Sequence, residues 1–272
     1  MSGYKVKEMT MSTDKNSPEL HYYLSEDFVK LCAQEFQWRD LSRDVVMDIN
    51  CGNEFYCCKF ILEEFPDVSA LVAIDNVPKI CLVRKPSRKI HVYHADIVER
   101  ETLKQFQGKM DKAVSANTFH LITEKKMAFE NVYRLLKPAG EAAFLFYLDS
   151  ELHSFKNALL EMPKFKALHK GTHDPEMYSK ERDEQYYRRM LEEIGFHNVR
   201  SKREQAIISF PLDENCKAHL LELYLTFFKK PSENVNEIKE ELFKIYKEMV
   251  DRYKEKLCYR IMLLKLFGVK PT

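Results

Sequence analysis

Short apolar runs alternate with helix-like segments along the first half of the chain. The intervening segments repeat apolar side chains at three- and four-residue steps, which is typical of helices packed on one face. The runs predict strands at residues 45–49, 71–74, 90–94, 112–115 and 141–148. Continuously apolar strands separated by helices indicate a parallel sheet covered on both faces.

Helical patterns occur along the whole chain and take up more of its second half. Helices are predicted at residues 17–37, 124–136, 152–170, 180–194, 217–228 and 233–256, with one that follows the turn after residue 49 and runs through Phe65 and a helical stretch near 79–85. A turn is predicted at 137–140, a polar loop at 171–175, and late strands at 199–210 and 259–267. The predicted fold class is therefore α/β: a Rossmann-like, doubly wound, mostly parallel seven-stranded sheet with an antiparallel last strand and a helical cap.

Composition narrows the class of protein. Hydrophobic residues make up 45% of the 272, and only 7 are glycine, which favours a packed core over disorder. The 43 basic residues nearly balance the 42 acidic ones, so we expect no nucleic-acid partner and no membrane surface. The polar N-terminus lacks the apolar core of a signal peptide, and 7 cysteines without a C-x-x-C pair favour reduced thiols. These features predict a cytoplasmic protein.

Candidate chemistry lies where the predicted strands end. Asp48 and Gly52 belong to a tight turn between the first strand and a helix, the place where doubly wound folds bind their cofactors. Asp75 follows the second strand, where an acid can hold ribose hydroxyls, and Asp96 follows the third. Three acids in register favour a nucleoside cofactor with a cationic centre, although an aspartate can also simply begin a loop.

The chain resembles the class I S-adenosylmethionine-dependent methyltransferases. The residues at 131–140, Asn-Val-Tyr-Arg-Leu-Leu-Lys-Pro-Ala-Gly, are similar to the turn that leads into the fifth strand of that class. The 37–39 (Gln-Trp-Arg), 119–120 (Phe-His) and 194–196 (Ile-Gly-Phe) motifs resemble the juvenile hormone acid methyltransferase group of arthropod methyltransferases. The resemblance spans roughly residues 18 to 270.

The resemblance implies the cofactor, the domain plan and the cofactor-binding residues. S-adenosyl-L-methionine is expected in a single domain, 1–272, with an N-terminal cap (17–40), a cofactor-binding half (41–150) and a helical substrate lid with closing strands (151–272). The expected cofactor-binding residues are Asp48, Asn50, Cys51, Gly52, Asp75, Asn76, Asp96, Ile97 and Ser115. Asp48, Cys51 and Gly52 would line the methionine part, Asp75 would bind the ribose, and Asp96 with Ile97 would flank the adenine.

A small, mostly apolar acceptor is expected, plausibly the carboxylate of a terpenoid or fatty acid. Such a carboxylate is ionised near neutral pH, so it needs orienting donors rather than a general base. The resemblance assigns these roles to His21 and, less directly, His120, whereas Leu121 stands where the group has a donor. His21 could equally be an exposed helix histidine, and His120 could equally brace its loop.

The turn departs from the glycine pattern of the class. Asn50 and Glu54 replace glycines, and Asn tolerates the left-handed conformation better than most residues do. Glu54 could face solvent, pair with the cofactor's amino group or repel its carboxylate. A catalytically inactive ligand- or partner-binding protein is therefore the alternative, and a nicotinamide dinucleotide enzyme is disfavoured because the turn has one glycine and an acid.

No metal site is expected. The nearby cysteines Cys51, Cys57 and Cys58 lack further ligands at metal-binding spacing, and so do His169, His173 and Asp174.

Overall fold

The computed structural model describes residues 5–11, 20–171, 179, 181–230, 234–250 and 252–272. The chain divides into two compact units. The larger unit comprises Leu20–Tyr147, Ser179–Arg203 and Leu264–Thr272; the smaller unit comprises Met1–Glu19, Leu148–Tyr178 and Glu204–Leu263.

A sheet of mostly parallel strands forms the core of the larger unit. The strands of the chain are β1 (Lys5–Thr10), β2 (Val45–Ile49), β3 (Ala70–Asp75), β4 (Ile90–His94), β5 (Met110–Ala116), β6 (Leu136–Ser150), β7 (His197–Ser209), β8 (Arg252–Tyr253) and β9 (Lys256–Val269). In the larger unit β4, β3, β2, β5 and β6 lie side by side in this order, and each neighbouring pair is parallel. The carboxyl ends of these strands therefore meet at one edge of the sheet.

Both units also contain helices. They are α1 (Leu20–Glu35), α2 (Tyr56–Glu64), α3 (Arg100–Leu103), α4 (Lys125–Leu135), α5 (Glu151–Glu161), α6 (Pro163–Lys166), α7 (Glu184–Ile194), α8 (Asp213–Phe227) and α9 (Val235–Met249). Single 3-10 turns lie at Ile80–Leu82, Lys104–Phe106 and Phe119–Leu121. α2 buries Cys57, Cys58, Phe60 and Ile61, the three- and four-residue spacing of one helix face.

The smaller unit adds strands and helices of its own. β1 pairs in parallel with the second part of β7, from Lys5 opposite Glu204 to Thr10 opposite Ser209. β8 and β9 form an antiparallel hairpin whose turn residues, Lys254 and Glu255, have φ of 48° and 65°. Two positive φ values are typical of a type I′ turn, which matches the twist of the joined strands.

The structure confirms the predicted α/β fold class with its mostly parallel sheet and an antiparallel pair. The described residues form nine strands rather than the predicted seven, because β1 and β8 were not predicted. The sequence at β1 is polar and short, so its pattern did not predict a strand. The predicted start of the first helix at 17–18 and most of the loop at 171–175 lie outside the described residues.

Several predicted boundaries are wrong for identifiable reasons. The helix predicted at 233–256 ends at Met249, and the rest of that range holds β8, the type I′ turn and the first residue of β9. The turn predicted at 137–140 is a bulge inside β6, where Ala139 has φ of 60° and the register against β5 shifts. The helix predicted at 152–170 is broken into α5 and α6, with Pro163 at the start of the second helix.

Candidate functional site

A cavity opens at the carboxyl edge of the sheet in the larger unit. Its volume is about 400 Å³, and it is lined by Asn50, Asp75, Asn76, Asp96, Val98, Thr118, Leu121, Ile122, Thr123 and Glu124. These residues come from the segments that follow β2, β3, β4 and β5, apart from Asp75, which ends β3. Ligands of open parallel sheets bind at this edge.

The turn after β2 forms one wall of the cavity. Asn50 and Gly52 adopt the left-handed conformation, with φ of 54° and 60°. A Cβ on Gly52 would meet nothing within 4 Å, so its positive φ, rather than crowding, is what favours glycine there. The N–H of Cys51 donates to the carbonyl of Ile74 at 3.1 Å, which ties the turn to β3. Asn50 thus supplies the backbone conformation of the glycine that it replaces.

Asp75 connects the end of β3 to this turn. Its carboxylate accepts hydrogen bonds from the N–H of Gly52 at 2.9 Å and from the N–H of Val77 at 3.0 Å. The side chain is almost fully buried, yet it lines the cavity. Each carboxylate oxygen can accept a further hydrogen bond. Asp75 is therefore a fixed acceptor at the place where a ribose hydroxyl is expected.

Asp96 and Asn76 form the neighbouring wall. Asn76 Nδ2 donates to Asp96 Oδ2 at 3.3 Å, and the other Asp96 oxygen accepts from the N–H of Val98 at 3.0 Å. Ile97 is buried, and its carbonyl accepts from Asn131 Nδ2 at 2.8 Å. These bonds hold the segment after β4 against α4 and leave the polar side chains of Asn76 and Asp96 at the cavity.

Asp48 lies beneath the turn rather than in the cavity wall. Its side chain is buried, and Oδ2 accepts from the N–H of Cys58, in the first turn of α2, at 3.2 Å. Burial raises the pKa of Asp48 to about 7, and the charge of Asp75 adds to this shift, whereas the hydrogen bond from Cys58 opposes it. The Asp48 carboxyl group therefore holds the N-terminus of α2.

Two further residues of the turn, Cys51 and Glu54, differ in burial. Burial, together with the charges of Asp48 and Asp75, raises the pKa of the Cys51 thiol far above its ordinary value, so this cysteine stays protonated and is not a nucleophile. Glu54 is exposed and forms an ion pair with Lys59 at 3.4 Å. Of the three orientations open to Glu54 from the sequence, the structure has the one that faces solvent.

The segment after β5 forms the opposite wall. Ser115 is fully buried; its Oγ donates to the carbonyl of Ile49 at 2.9 Å and is 2.9 Å from Thr118 Oγ1. Thr118, not Ser115, lines the cavity. Asn117 has φ of 64°, and its Nδ2 donates to Ser25 Oγ of α1 at 3.3 Å. The segment after β5 is thereby tied to both β2 and α1.

His21 and His120 both contact Tyr147. His21 Nε2 lies 3.2 Å from the Tyr147 hydroxyl, and the His120 ring stacks on the Tyr147 ring with 4.2 Å between centroids. His21 is exposed, whereas His120 is buried. Lys125 Nζ donates to the carbonyls of His120 and Ile122, at 3.3 and 2.6 Å, and so fixes the turn that carries His120.

The structure brings together some of the predicted site residues. Asn50, Asp75, Asn76 and Asp96 line one cavity, while Asp48, Ile97 and Ser115 lie buried behind it, and Cys51 and Gly52 belong to its turn. Their contacts with a cofactor stay a prediction. Sequence reasoning missed the lining residues Val98, Thr118, Ile122, Thr123 and Glu124, and it missed Tyr147. They belong to loops and a strand end, where no periodic pattern marks them.

The electrostatics of the cavity are one-sided. Asp75, Asp96 and Glu124 line it, and among the described residues no lysine, arginine or histidine does so. A lining of this charge favours a ligand with a cationic centre and hydroxyl donors, and it opposes a pyrophosphate.

The described part of the chain contains no group of three or more His, Cys, Asp or Glu side chains that could hold a metal ion, and none of its seven cysteines is in a disulfide. His173 and Asp174 lie outside it. None of its helices is long and apolar enough to cross a membrane.

Comparison with known proteins identifies a domain within the larger unit. Residues 47–144 match the family model described as a methyltransferase domain, and this segment contains the turn, the three strand-end acids and the whole cavity lining. Together with the fold, the match identifies residues 47–144 as a methyltransferase domain of the class I S-adenosylmethionine-dependent type. The expected cofactor is confirmed as the cofactor of this class.

The individual proteins to which the chain is similar have low sequence identity to it. The chain is similar to juvenile hormone acid O-methyltransferase of Drosophila melanogaster, with 26% identity over 199 residues. The similarity covers 64% of this chain and 63% of that enzyme. Two solved structures share the fold: YcgJ of Bacillus subtilis (TM-score 0.57, 13% identity, 90% of this chain and 99% of that one) and a Bacillus halodurans protein (TM-score 0.54, 17% identity, 90% and 99%).

Proposed function

We propose that this protein binds S-adenosylmethionine in the cavity and transfers its methyl group to the carboxylate of a small, mostly apolar acid. The observation that carries the first part is the acidic lining: three carboxylates, with no cationic side chain among the described lining residues, at the carboxyl edge of a parallel sheet. S-adenosylmethionine has the hydroxyls, the exocyclic amine and the sulfonium that such a lining favours.

The residues fit the cofactor without rearrangement of the turn. Asp75 keeps accepting capacity beside its two backbone donors, so its carboxylate can hold ribose hydroxyls. Asp96 and Asn76 would hold the adenosine beyond it, and Asn50 and Gly52 would bring the backbone close to the methionine part. Glu54 faces away, toward Lys59, so it neither pairs with nor repels the cofactor's charged groups.

The carboxylate acceptor is supported by the chemistry of the surrounding side chains. Bound S-adenosylmethionine would supply an electrophilic methyl group, whose carbon would bond to the acceptor oxygen as the C–S bond breaks and its electron pair goes to sulfur. An ionised carboxylate loses no proton in this reaction, so the side chains here need only position the reactants and exclude water. His21 and His120, which meet at Tyr147, are proposed as the acceptor-side residues. The similarity to the Drosophila enzyme supports an acid as acceptor.

Replacing the ribose acceptor tests the proposed cofactor site. Asp75→Ala removes both oxygens, and hydrogen bonds to charged groups contribute about 1.5–3 kcal/mol each, so we expect S-adenosylmethionine to bind at least about tenfold more weakly. Calorimetric titration measures this directly. Asp67→Ala is the matched control, because Asp67 is exposed and precedes the same strand at its opposite end. Unchanged affinity in Asp75→Ala would show that the cofactor binds elsewhere.

The alternative function, a catalytically inactive ligand- or partner-binding protein, makes a different prediction. Radiolabelled S-adenosylmethionine is incubated with the protein and a panel of fatty and isoprenoid acids. A protein that binds the cofactor yet labels none of the acids is not a carboxyl methyltransferase of this substrate class. Labelling of a matched amine instead would place the activity among N-methyltransferases.

A further inference from the structure

The acidic lining of the cavity cannot bind the carboxylate of an acceptor, so the groups that bind this carboxylate have to be identified separately. Asp75, Asp96 and Glu124 would repel it, and no lysine, arginine or histidine among the described residues lines the cavity. The donors that orient an acceptor carboxylate must therefore lie beside the cavity rather than in it.

We propose that the hydroxyl of Tyr147 is a donor that orients the acceptor's carboxylate, with His21 setting the direction of its proton. This inference rests on the proposed function and deepens it. Tyr147 lies in β6, two residues beyond the last residue paired with β5, so it extends past the carboxyl edge at which the cavity opens. His120, whose ring stacks on Tyr147, is followed directly by the cavity-lining Leu121.

The geometry of the hydroxyl supports this role. A phenol can accept a hydrogen bond while donating its own proton. When His21 donates from Nε2 across the 3.2 Å separation, the Tyr147 oxygen is the acceptor and its proton turns toward a different oxygen. An acceptor carboxylate is the oxygen that the proposed reaction brings to this place.

Other contacts hold Tyr147 and the helix that carries His21 in position. Tyr22, next to His21, packs against Phe60 of α2 with 4.8 Å between ring centroids. Ser25, one helical turn after His21, accepts from Asn117 Nδ2 at 3.3 Å. The stack of His120 on Tyr147 fixes the plane of the phenol ring. α1 and the segment after β5 thus both contact Tyr147 of β6, the first at its hydroxyl and the second at its ring, which is the preorganisation that an orienting donor requires.

The variant Tyr147→Phe tests this role. It removes the hydroxyl but keeps the ring, so the stack with His120 can be retained. The probes are dodecanoic acid, an isoprenoid acid (citronellic acid) and dodecylamine, each titrated into protein saturated with S-adenosylhomocysteine. We expect Tyr147→Phe to weaken binding of the two acids about tenfold or more, because a hydrogen bond to a charged group is lost. Binding of dodecylamine and of S-adenosylmethionine should stay unchanged. Tyr93→Phe is the control, since it removes a phenol from β4, the far edge of the sheet.

The outcomes separate the two proposals. Wild-type protein that fails to bind S-adenosylmethionine overturns the proposed function. Wild-type protein that binds the cofactor and the acids, with Tyr147→Phe indistinguishable from it, overturns the role of Tyr147 alone. Cofactor binding without binding of either acid also overturns it, because no carboxylate is then held. Equal loss for the acids and the amine would show that the hydroxyl only maintains the local structure.

Discussion

Asp48 is a buried carboxyl group whose ionisation depends on its surroundings. Burial and the nearby Asp75 raise its pKa to about 7, so the folded protein binds a proton more tightly than the unfolded chain does. Its contribution to stability is therefore complete below the unfolded pKa of 3.8 and is lost as the pH rises through about 7.

The variant Asp48→Asn tests whether Asp48 makes the folded protein less stable as the pH rises. Asparagine keeps an oxygen that can accept from the N–H of Cys58 but cannot ionise. Relative to the variant, we expect wild-type protein to lose up to about 4 kcal/mol of unfolding free energy between pH 4 and pH 8. Urea unfolding at several pH values measures the difference. A constant difference between the two proteins across this range would contradict the account.

Residue-level reasoning from the sequence succeeded where backbone conformation decides the outcome. Asn50 was predicted to preserve the turn because Asn tolerates the left-handed region, and its φ of 54° confirms this. The direction of Glu54 could not be predicted, because it depends on Lys59, which the start of α2 brings alongside. The role of Tyr147 was equally inaccessible, since its partners come from α1 and from the segment after β5.

Gly195 terminates α7 at the scale of a single element. It has φ of 112°, and its N–H donates to the carbonyls of Leu191 and Glu192. A Cβ there would approach the Tyr133 hydroxyl at 3.1 Å. Both observations explain why the helix predicted to close at this glycine does so.

Gly195→Ala should therefore destabilise the protein by about 1–2 kcal/mol, from the left-handed conformation and the close contact together. Gly171→Ala is the control, since a Cβ on Gly171 meets nothing within 4 Å and its φ is not in the left-handed range. Chemical denaturation measures both variants. Equal stability of Gly195→Ala and the control would contradict this explanation of the helix end.

β2, β3 and the later part of β6 were predictable because each contains a short apolar run, and β4 (Ile90–His94) has the predicted ends. Strands that form by pairing with another part of the chain could not be predicted from the local sequence. β1 is polar and forms through its pairing with β7, which follows it after a long stretch of chain. The β8–β9 hairpin interrupts an apparently helical pattern, because local periodicity does not register a type I′ turn of Lys254 and Glu255.

For the whole molecule, the fold and the class of cofactor follow from the order of strands, turn and acids, whereas the acceptor does not. The family match covers residues 47–144, the part that contains the turn and the acids. His21 and Tyr147 lie outside that match, so the acceptor side depends on the contacts of this chain itself.

The central claim is that the acidic cavity binds S-adenosylmethionine, and calorimetric titration of the wild-type protein tests it most directly. We predict micromolar binding of S-adenosylmethionine and no measurable binding of NAD, because the lining favours a cationic nucleoside and opposes a pyrophosphate. Absence of S-adenosylmethionine binding at millimolar concentration, or binding of NAD in its place, would contradict the account.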